Sequence, residues 1–155
     1  MAKRSAGILL YRGRGTKLEL LLVHPGGPFW AKKDQGAWSI PKGEYEPGED
    51  SLAVARREFE EELGSPPPEA SFIELGELVQ PSSKVITAFA GQGDFDPAKL
   101  TSNHFEMEWP PRSGRLRSFP EIDRLAWFDY DTALIKIIAY QKPLLIDLRS
   151  KLSAQ

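Results

Sequence analysis

The chain has 155 residues, of which 41% are hydrophobic and 27% charged, with a formal net charge of −2 and no cysteine. These values are typical of a globular domain and exclude a disulfide framework, a cysteine-based zinc site and a thiol nucleophile. The near-neutral charge also argues against a broad nucleic-acid surface.

The apolar runs are all short. None approaches the roughly 20 residues that a membrane-spanning helix needs, and the run Gly7–Tyr11 is too brief for the apolar part of a signal peptide. We therefore expect a cytoplasmic protein without membrane association. Nothing in the sequence distinguishes a monomer from a homodimer.

The N-terminal part predicts a β-hairpin. Two apolar runs, at 6–11 and 18–23, flank a glycine-containing turn. A Gly/Pro-rich loop follows, and then a short strand is expected at 37–40.

The clearest predicted element is a helix over 50–63. Asp50 or Ser51 can cap its start, and Gly64 can end it. One stripe of this helix is apolar and must face the core. It comprises Leu52, Ala55, Phe59 and Leu63.

The C-terminal half predicts further interleaved strands and helices without a repeat or a linker. This alternation predicts an α/β fold with a mixed sheet, in a single domain over 1–155. The expected elements are strands at 72–79, 85–90, 104–109 and 125–128, an irregular basic segment at 110–123, a helix from Asp131 and a second helix beginning at Pro143.

The predicted helix and the loop before it are unusually acidic, with eight acidic residues among positions 43–65. Glu58, Glu61 and Glu62 share one helical face beside the apolar stripe, whereas Glu60 points to the far side. Carboxylates crowded in this way repel one another. A hard divalent cation such as Mg²⁺ would turn that repulsion into coordination.

Two interpretations of this face remain open from composition alone. Arg57 could pair with Glu61 or with the loop residue Glu49 and so hold an acidic array in place. Alternatively, the glutamates form a solvated charged face, as in most Glu-rich helices.

The spacing of these residues resembles the Nudix box, Gly-x5-Glu-x7-Arg-Glu-U-x-Glu-Glu-x-Gly-U, in which U is apolar. Gly43, Glu49 and the run Arg57–Gly64 match every fixed position, and only the last U differs, being Ser65. The resemblance implies a Nudix-type α/β/α sandwich. It also implies hydrolysis of a nucleoside diphosphate linked to another moiety, with Mg²⁺ or Mn²⁺ as the cofactor.

The same resemblance implies roles for individual residues. Glu61 and Glu62 would be metal ligands, and Glu58 would be a further ligand or the base that activates water. Arg57 would orient Glu58, and the backbone carbonyl at Lys42 or Gly43 would be an additional ligand.

Outside the box, Glu121 precedes a predicted strand at a place where Nudix enzymes often supply one more carboxylate, with Glu106 and Glu108 as rivals. The other candidates are expected to bind substrate. Lys42 could neutralise a phosphate, Trp30 could stack on a base, and Arg112 and Arg115 could bind a polyphosphate. Each candidate also has an alternative interpretation without a binding role. Lys42 could be an exposed loop lysine, Trp30 could be a packing aromatic, and the arginines could belong to a solvated basic loop.

The run WSIPKGEYEPGED resembles a stretch of the diadenosine tetraphosphate hydrolases within the Nudix superfamily, and the N-terminal half also resembles the bacterial predicted NTP pyrophosphohydrolases. A tyrosine that many of the diadenosine tetraphosphate hydrolases carry beyond the box has no counterpart here, where Phe72 is the nearest aromatic residue. The resemblance predicts Mg²⁺-dependent cleavage of a phosphoanhydride bond in a dinucleoside polyphosphate or nucleoside triphosphate. The alternatives are sanitation of oxidised nucleoside triphosphates and a catalytically silent nucleotide-binding module.

Overall fold

The computed structural model describes residues 3–154, so both ends of the predicted 1–155 domain lie outside the described residues. No helix in this range is long and apolar enough to cross a membrane. The elements are β1 (Arg4–Arg12), β2 (Glu19–Pro25), β3 (Lys42–Tyr45), α1 (Ser51–Leu63), β4 (Ile73–Val79), β5 (Val85–Gln92), β6 (His104–Glu108), β7 (Leu116–Pro120), β8 (Ile122–Asp129), α2 (Tyr130–Lys136) and α3 (Lys142–Ser153).

The main sheet has six strands and is mixed, as predicted. Its order is β4-β5-β1-β2-β8, and β3 pairs separately with the first half of β1. The β1–β5 pair is parallel and the other pairs are antiparallel. Strands β6 and β7 form a separate antiparallel hairpin.

Helices cover both faces of this sheet. Successive side chains of a strand point to opposite faces, and along β1 they enter two different cores. Leu9 packs in the core with α2 and α3, whereas Ile8 and Leu10 pack in the core with α1. The fold is therefore the α/β/α sandwich that the Nudix resemblance implied.

Helix α1 begins and ends as its sequence predicts. The Asp50 side chain accepts a hydrogen bond from the backbone N–H of Ala53 at 3.0 Å. At the other end, Gly64 adopts φ +84°, in the left-handed region that favours glycine. The buried residues are Val54, Ala55, Phe59 and Leu63, so the predicted stripe is confirmed except that Leu52 is only half-buried.

The predicted strand at 37–40 is wrong. Trp38 and Ile40 are buried, but the segment forms only isolated bridges to Val23 and Ile137. Ser39 exchanges two backbone hydrogen bonds with Val23, whereas Trp38 and Ile40 bond with the end of α2 and with the α2–α3 connection, including the Gln141 side chain. The segment is therefore a buried connector.

The basic segment expected to be irregular contains a strand. β7 pairs with β6 from His104↔Pro120 to Glu108↔Leu116. Only that pairing makes it a strand, because the segment itself lacks an alternating apolar pattern. The C-terminal helices lie where they were expected, and Pro143 occupies the first turn of α3.

Candidate active site

The site is built where α1 crosses β3. Gly43 pairs with Ala6 of β1, which places the β3 backbone directly against the carboxyl group of Glu58. A Cβ atom added at Gly43 would overlap the carboxyl carbon and an oxygen of Glu58. The glycine therefore allows this carboxyl group to approach the backbone. The Glu58 side chain is only 16% exposed.

Arg57 lies within reach of three carboxylates. Its guanidinium donates a hydrogen bond to Glu49 at 3.1 Å and lies 3.8 Å from Glu58 and 4.0 Å from Glu61. Glu49 in turn accepts a hydrogen bond from the backbone N–H of Glu46 at 3.0 Å. The sequence left open whether Arg57 pairs with Glu49 or with Glu61, and the hydrogen bond goes to Glu49.

Glu62 lies in a small pocket of about 140 Å³ that Lys42 and Glu121 also line. Burial is the main cause that raises the pKa of Glu62 to about 8, and the charges of Glu58 and Glu121 add to this effect. The Lys42 ammonium and its backbone N–H act in the opposite direction. Glu62 thus occupies a place where a negative charge is costly unless a cation offsets it.

The pKa of Glu58 is also raised, first by burial and then by the charge of Glu61, while Arg57 lowers it. Glu121 and Glu49 add smaller contributions that raise it. The two carboxyl groups that face β3 therefore both hold their protons more tightly than a solvated glutamate does.

Glu121 reaches the pocket through a chain of backbone contacts. Thr101 donates its N–H to the Leu63 carbonyl at the end of α1 at 3.0 Å. Two residues later, the Asn103 carbonyl accepts a hydrogen bond from the N–H of Glu121 at 2.8 Å. Gly26 then donates to the Glu121 carbonyl at 2.8 Å. Segments far apart in sequence thus bring Glu121 to α1.

Some residues of the pocket wall were not anticipated. Ser39 belongs to the connector that had been expected to be a strand, and Pro25 ends β2. Neither carries a sequence pattern typical of a binding residue, so only the packing of β2 against the connector reveals them.

The predicted substrate-binding residues outside the box, apart from Lys42, lie away from this pocket. Trp30 is 37% exposed in the loop after β2, with the Lys33 ammonium 5.0 Å from its ring centre. Arg112 and Arg115 are exposed in the β6–β7 turn. Glu106 and Glu108, the rivals of Glu121, are exposed on β6 and do not line the pocket.

Within residues 3–154, no three acidic or histidine side chains converge as a ready-made metal cluster. Glu61 is 55% exposed and lies 4.0 Å from the Arg57 guanidinium. The donor set nevertheless fits a hard divalent cation. Glu58 and Glu62 offer carboxylate oxygens whose ionised forms a cation would favour, and the β3 backbone at Gly43 lies beside them.

Comparison with known proteins agrees with this geometry. Residues 1–148 match the family described as NUDIX domain. The asymmetrical bis(5'-nucleosyl)-tetraphosphatase of Sus scrofa is 35% identical over 122 residues, covering 70% of this chain and 79% of that protein. The Caenorhabditis elegans protein of the same name is 37% identical over 62 residues, covering 40% of this chain and 41% of that protein.

A solved structure has the same fold. The binary complex of the C. elegans Ap4A hydrolase aligns with a TM-score of 0.64 at 22% identity, covering 97% of this chain and 99% of that one. At this identity the likeness shows the fold alone. The family match over residues 1–148, together with the Sus scrofa relative, shows that the chain belongs to the Nudix family.

Proposed function

We propose that this Nudix pyrophosphohydrolase uses Mg²⁺ to cleave a phosphoanhydride bond of a dinucleoside polyphosphate asymmetrically. The observation that carries the proposal is the pair of half-buried carboxyl groups, Glu58 against Gly43 and Glu62 beside Lys42. The substrate class is supported by the 35% identity to the asymmetrical tetraphosphatase of Sus scrofa.

In this proposal the carboxylates have two different roles, metal binding and activation of water. Glu61, Glu62 and Glu121, with the carbonyl of Gly43, would hold Mg²⁺, and Glu58 would be either a further ligand or the base. A bound divalent cation would supply charge neutralisation at the phosphate oxygens and polarise the phosphorus they surround.

As the base, Glu58 would accept a proton from water while the water oxygen bonds to phosphorus and the anhydride P–O bond breaks. Its raised pKa suits this role, because a base whose pKa lies nearer the working pH accepts protons more effectively. Arg57 would orient Glu58 from its position 3.8 Å away.

The remaining candidates would bind the outer parts of a long substrate. Lys42 lines the carboxylate pocket and could neutralise a phosphate there. Arg112 and Arg115 lie beyond the five-residue strands of the β6–β7 hairpin, roughly 16 Å from the Glu121 end at about 3.3 Å per residue. Only an extended ligand could contact the pocket and these arginines together.

Trp30 belongs to a loop that joins these two regions. The loop leaves the pocket wall at Pro25 and packs on the hairpin, where the Phe29 and Trp109 ring centres lie 5.4 Å apart. Trp30 could therefore stack on a base held along this path.

Product analysis tests the proposal. Diadenosine tetraphosphate incubated with the protein and Mg²⁺ should give ATP and AMP, and omission of the metal should abolish the reaction. Release of pyrophosphate from oxidised nucleoside triphosphates, without cleavage of the dinucleotide, would favour the sanitation alternative. Nucleotide binding without metal-stimulated turnover would favour the silent module.

A pair of variants tests the acidic face. Glu61→Gln should abolish turnover and leave the fold intact, whereas Glu60→Gln, on the exposed far side of α1, should retain activity. Full activity of Glu61→Gln would refute the assigned role.

We also propose a single domain over 1–155, because the family match covers residues 1–148. The cytoplasmic location stays a prediction.

A further inference from the structure

A second cavity lies at the opposite end of the molecule, between the β1–β2 turn and the last turn of α3. Its volume is about 210 Å³, and it opens on the sheet face that α2 and α3 cover. The lining residues are Tyr11, Arg14, Gly15, Leu18, Arg149, Leu152 and Ser153. Tyr11 lies five positions along β1 from Ala6, the partner of Gly43, so roughly 16 Å of strand separates the cavity from the carboxylate site.

The part of the cavity lining that lies within residues 3–154 carries positive charge. It contains two arginines and no acidic residue. The nearby Arg12 pairs with Glu19 at 2.8 Å, but within residues 3–154 neither Arg14 nor Arg149 forms a salt bridge. The Arg149 guanidinium is held over the Tyr130 ring, 4.4 Å from its centre.

Tyr11 adds a polar group that is mostly enclosed. The residue is only 5% exposed, yet its hydroxyl has no hydrogen-bond partner among the described groups. The hydroxyl is not sealed from solvent, since the described side chains include no sealed polar atom without a partner. It therefore opens into the cavity that the residue lines. Burial raises the pKa of Tyr11 and the charge of Arg14 lowers it, which places that charge close to the hydroxyl.

We propose that this cavity binds a small organic anion, a carboxylate or a phosphate monoester attached to a short apolar group. Arginine is suited to both anions, because its planar guanidinium can donate two parallel hydrogen bonds. Leu18 and Leu152 would contact the apolar part, and the Tyr11 hydroxyl would donate to the anion. The volume is below the roughly 300–1,000 Å³ of pockets for drug-sized ligands, so the ligand should be small.

The proposal is independent of the hydrolase activity, and its test needs no turnover. The full chain is first freed of divalent metal with a chelating resin and is then titrated with phenyl phosphate, benzoate and the neutral benzyl alcohol at constant ionic strength. Calorimetry should show saturable one-to-one binding of at least one anion and no comparable binding of the alcohol. Binding of only one of the two anions would identify the headgroup.

Variants connect any binding to the cavity. Arg14→Gln combined with Arg149→Gln should weaken anion binding about tenfold or more, because charge-assisted hydrogen bonds are lost. Tyr11→Phe should weaken it a few-fold while keeping the packing of the ring. Lys142→Gln, which removes one exposed positive charge from the same helix as Arg149, is the matched control and should leave binding unchanged.

Three results would overturn the proposal. The first is that neither anion binds saturably, and the second is that benzyl alcohol binds equally well. The third is that the variants do not distinguish the cavity, because binding is retained in the double arginine variant or falls equally in Lys142→Gln. Both arginines are exposed, so circular dichroism should show that the variants fold.

Discussion

Replacing Glu62 with glutamine removes a strongly perturbed carboxyl group while keeping its shape and a hydrogen-bond acceptor for the Lys42 backbone N–H. Burial is the main cause that raises the pKa of Glu62 from its ordinary value of 4.5 to about 8. Below the ordinary value the group is protonated in both the folded and the unfolded chain, so it does not affect stability. As the pH rises from 4.5 to 8, the unfolded chain ionises first and the folded state loses stability.

The size of this effect follows from the two pKa values. At 1.36 kcal/mol per pKa unit, the difference between 4.5 and about 8 corresponds to an upper limit of about 5 kcal/mol. Glu62 is only partly buried, and water reaching the carboxylate reduces this cost. We therefore expect Glu62→Gln to raise the free energy of unfolding by about 2–4 kcal/mol at pH 8 and by nearly nothing at pH 4.

Urea denaturation in EDTA at a series of pH values measures the difference directly. Glu60→Gln is the control and should give a flat difference, because that side chain is exposed on the far side of α1. Adding Mg²⁺ should stabilise the wild type more than Glu62→Gln and so shrink the gap at pH 8. A difference that does not change between pH 4 and pH 8 would refute the claim that burial of this carboxylate destabilises the metal-free fold.

Three further substitutions test the close approach of Glu58 to β3, the shape of the Arg57 side chain and the buried contacts of His24. Gly43→Ala places a Cβ against the carboxyl group of Glu58, so we expect turnover to fall at least about tenfold while urea denaturation changes little; normal turnover would contradict the close approach. Arg57→Lys keeps the positive charge but loses the planar guanidinium that contacts both Glu49 and Glu58. We therefore expect kcat to fall while the thermal unfolding temperature stays close to that of the wild type. An unchanged kcat would show that the positive charge alone suffices. The His24 side chain is 0% exposed, and its ring nitrogens contact an Asp123 carboxylate oxygen at 2.7 Å and the Lys33 carbonyl at 2.6 Å. His24→Phe removes both contacts and should cost roughly 1–3 kcal/mol in urea denaturation. The exposed His104→Phe serves as its control, and an equal cost for both would argue against the buried contacts.

The sequence by itself determined the helix α1 and its acidic face. Asp50 and Gly64 end the helix through local hydrogen bonding and a left-handed backbone, which depend on neighbouring residues only. The spacing of Glu58, Glu61 and Glu62 fixes their common face in the same way, because helical periodicity is a local property. The two apolar runs at 6–11 and 18–23, with a glycine-containing turn between them, similarly predicted β1 and β2.

Only the tertiary structure decided which distant groups join that face. Glu121 reaches the pocket through backbone contacts that link it to Asn103 and Gly26, and nothing in the residues around it encodes those partners. The connector at 37–40 is buried like a strand, but its backbone hydrogen bonds are divided between Val23 of β2 and the end of α2 with the connection that follows it. β7 is a strand because β6 lies beside it. Local sequence sets backbone preference and side-chain periodicity, whereas hydrogen-bond partners far along the chain are set by how the layers pack.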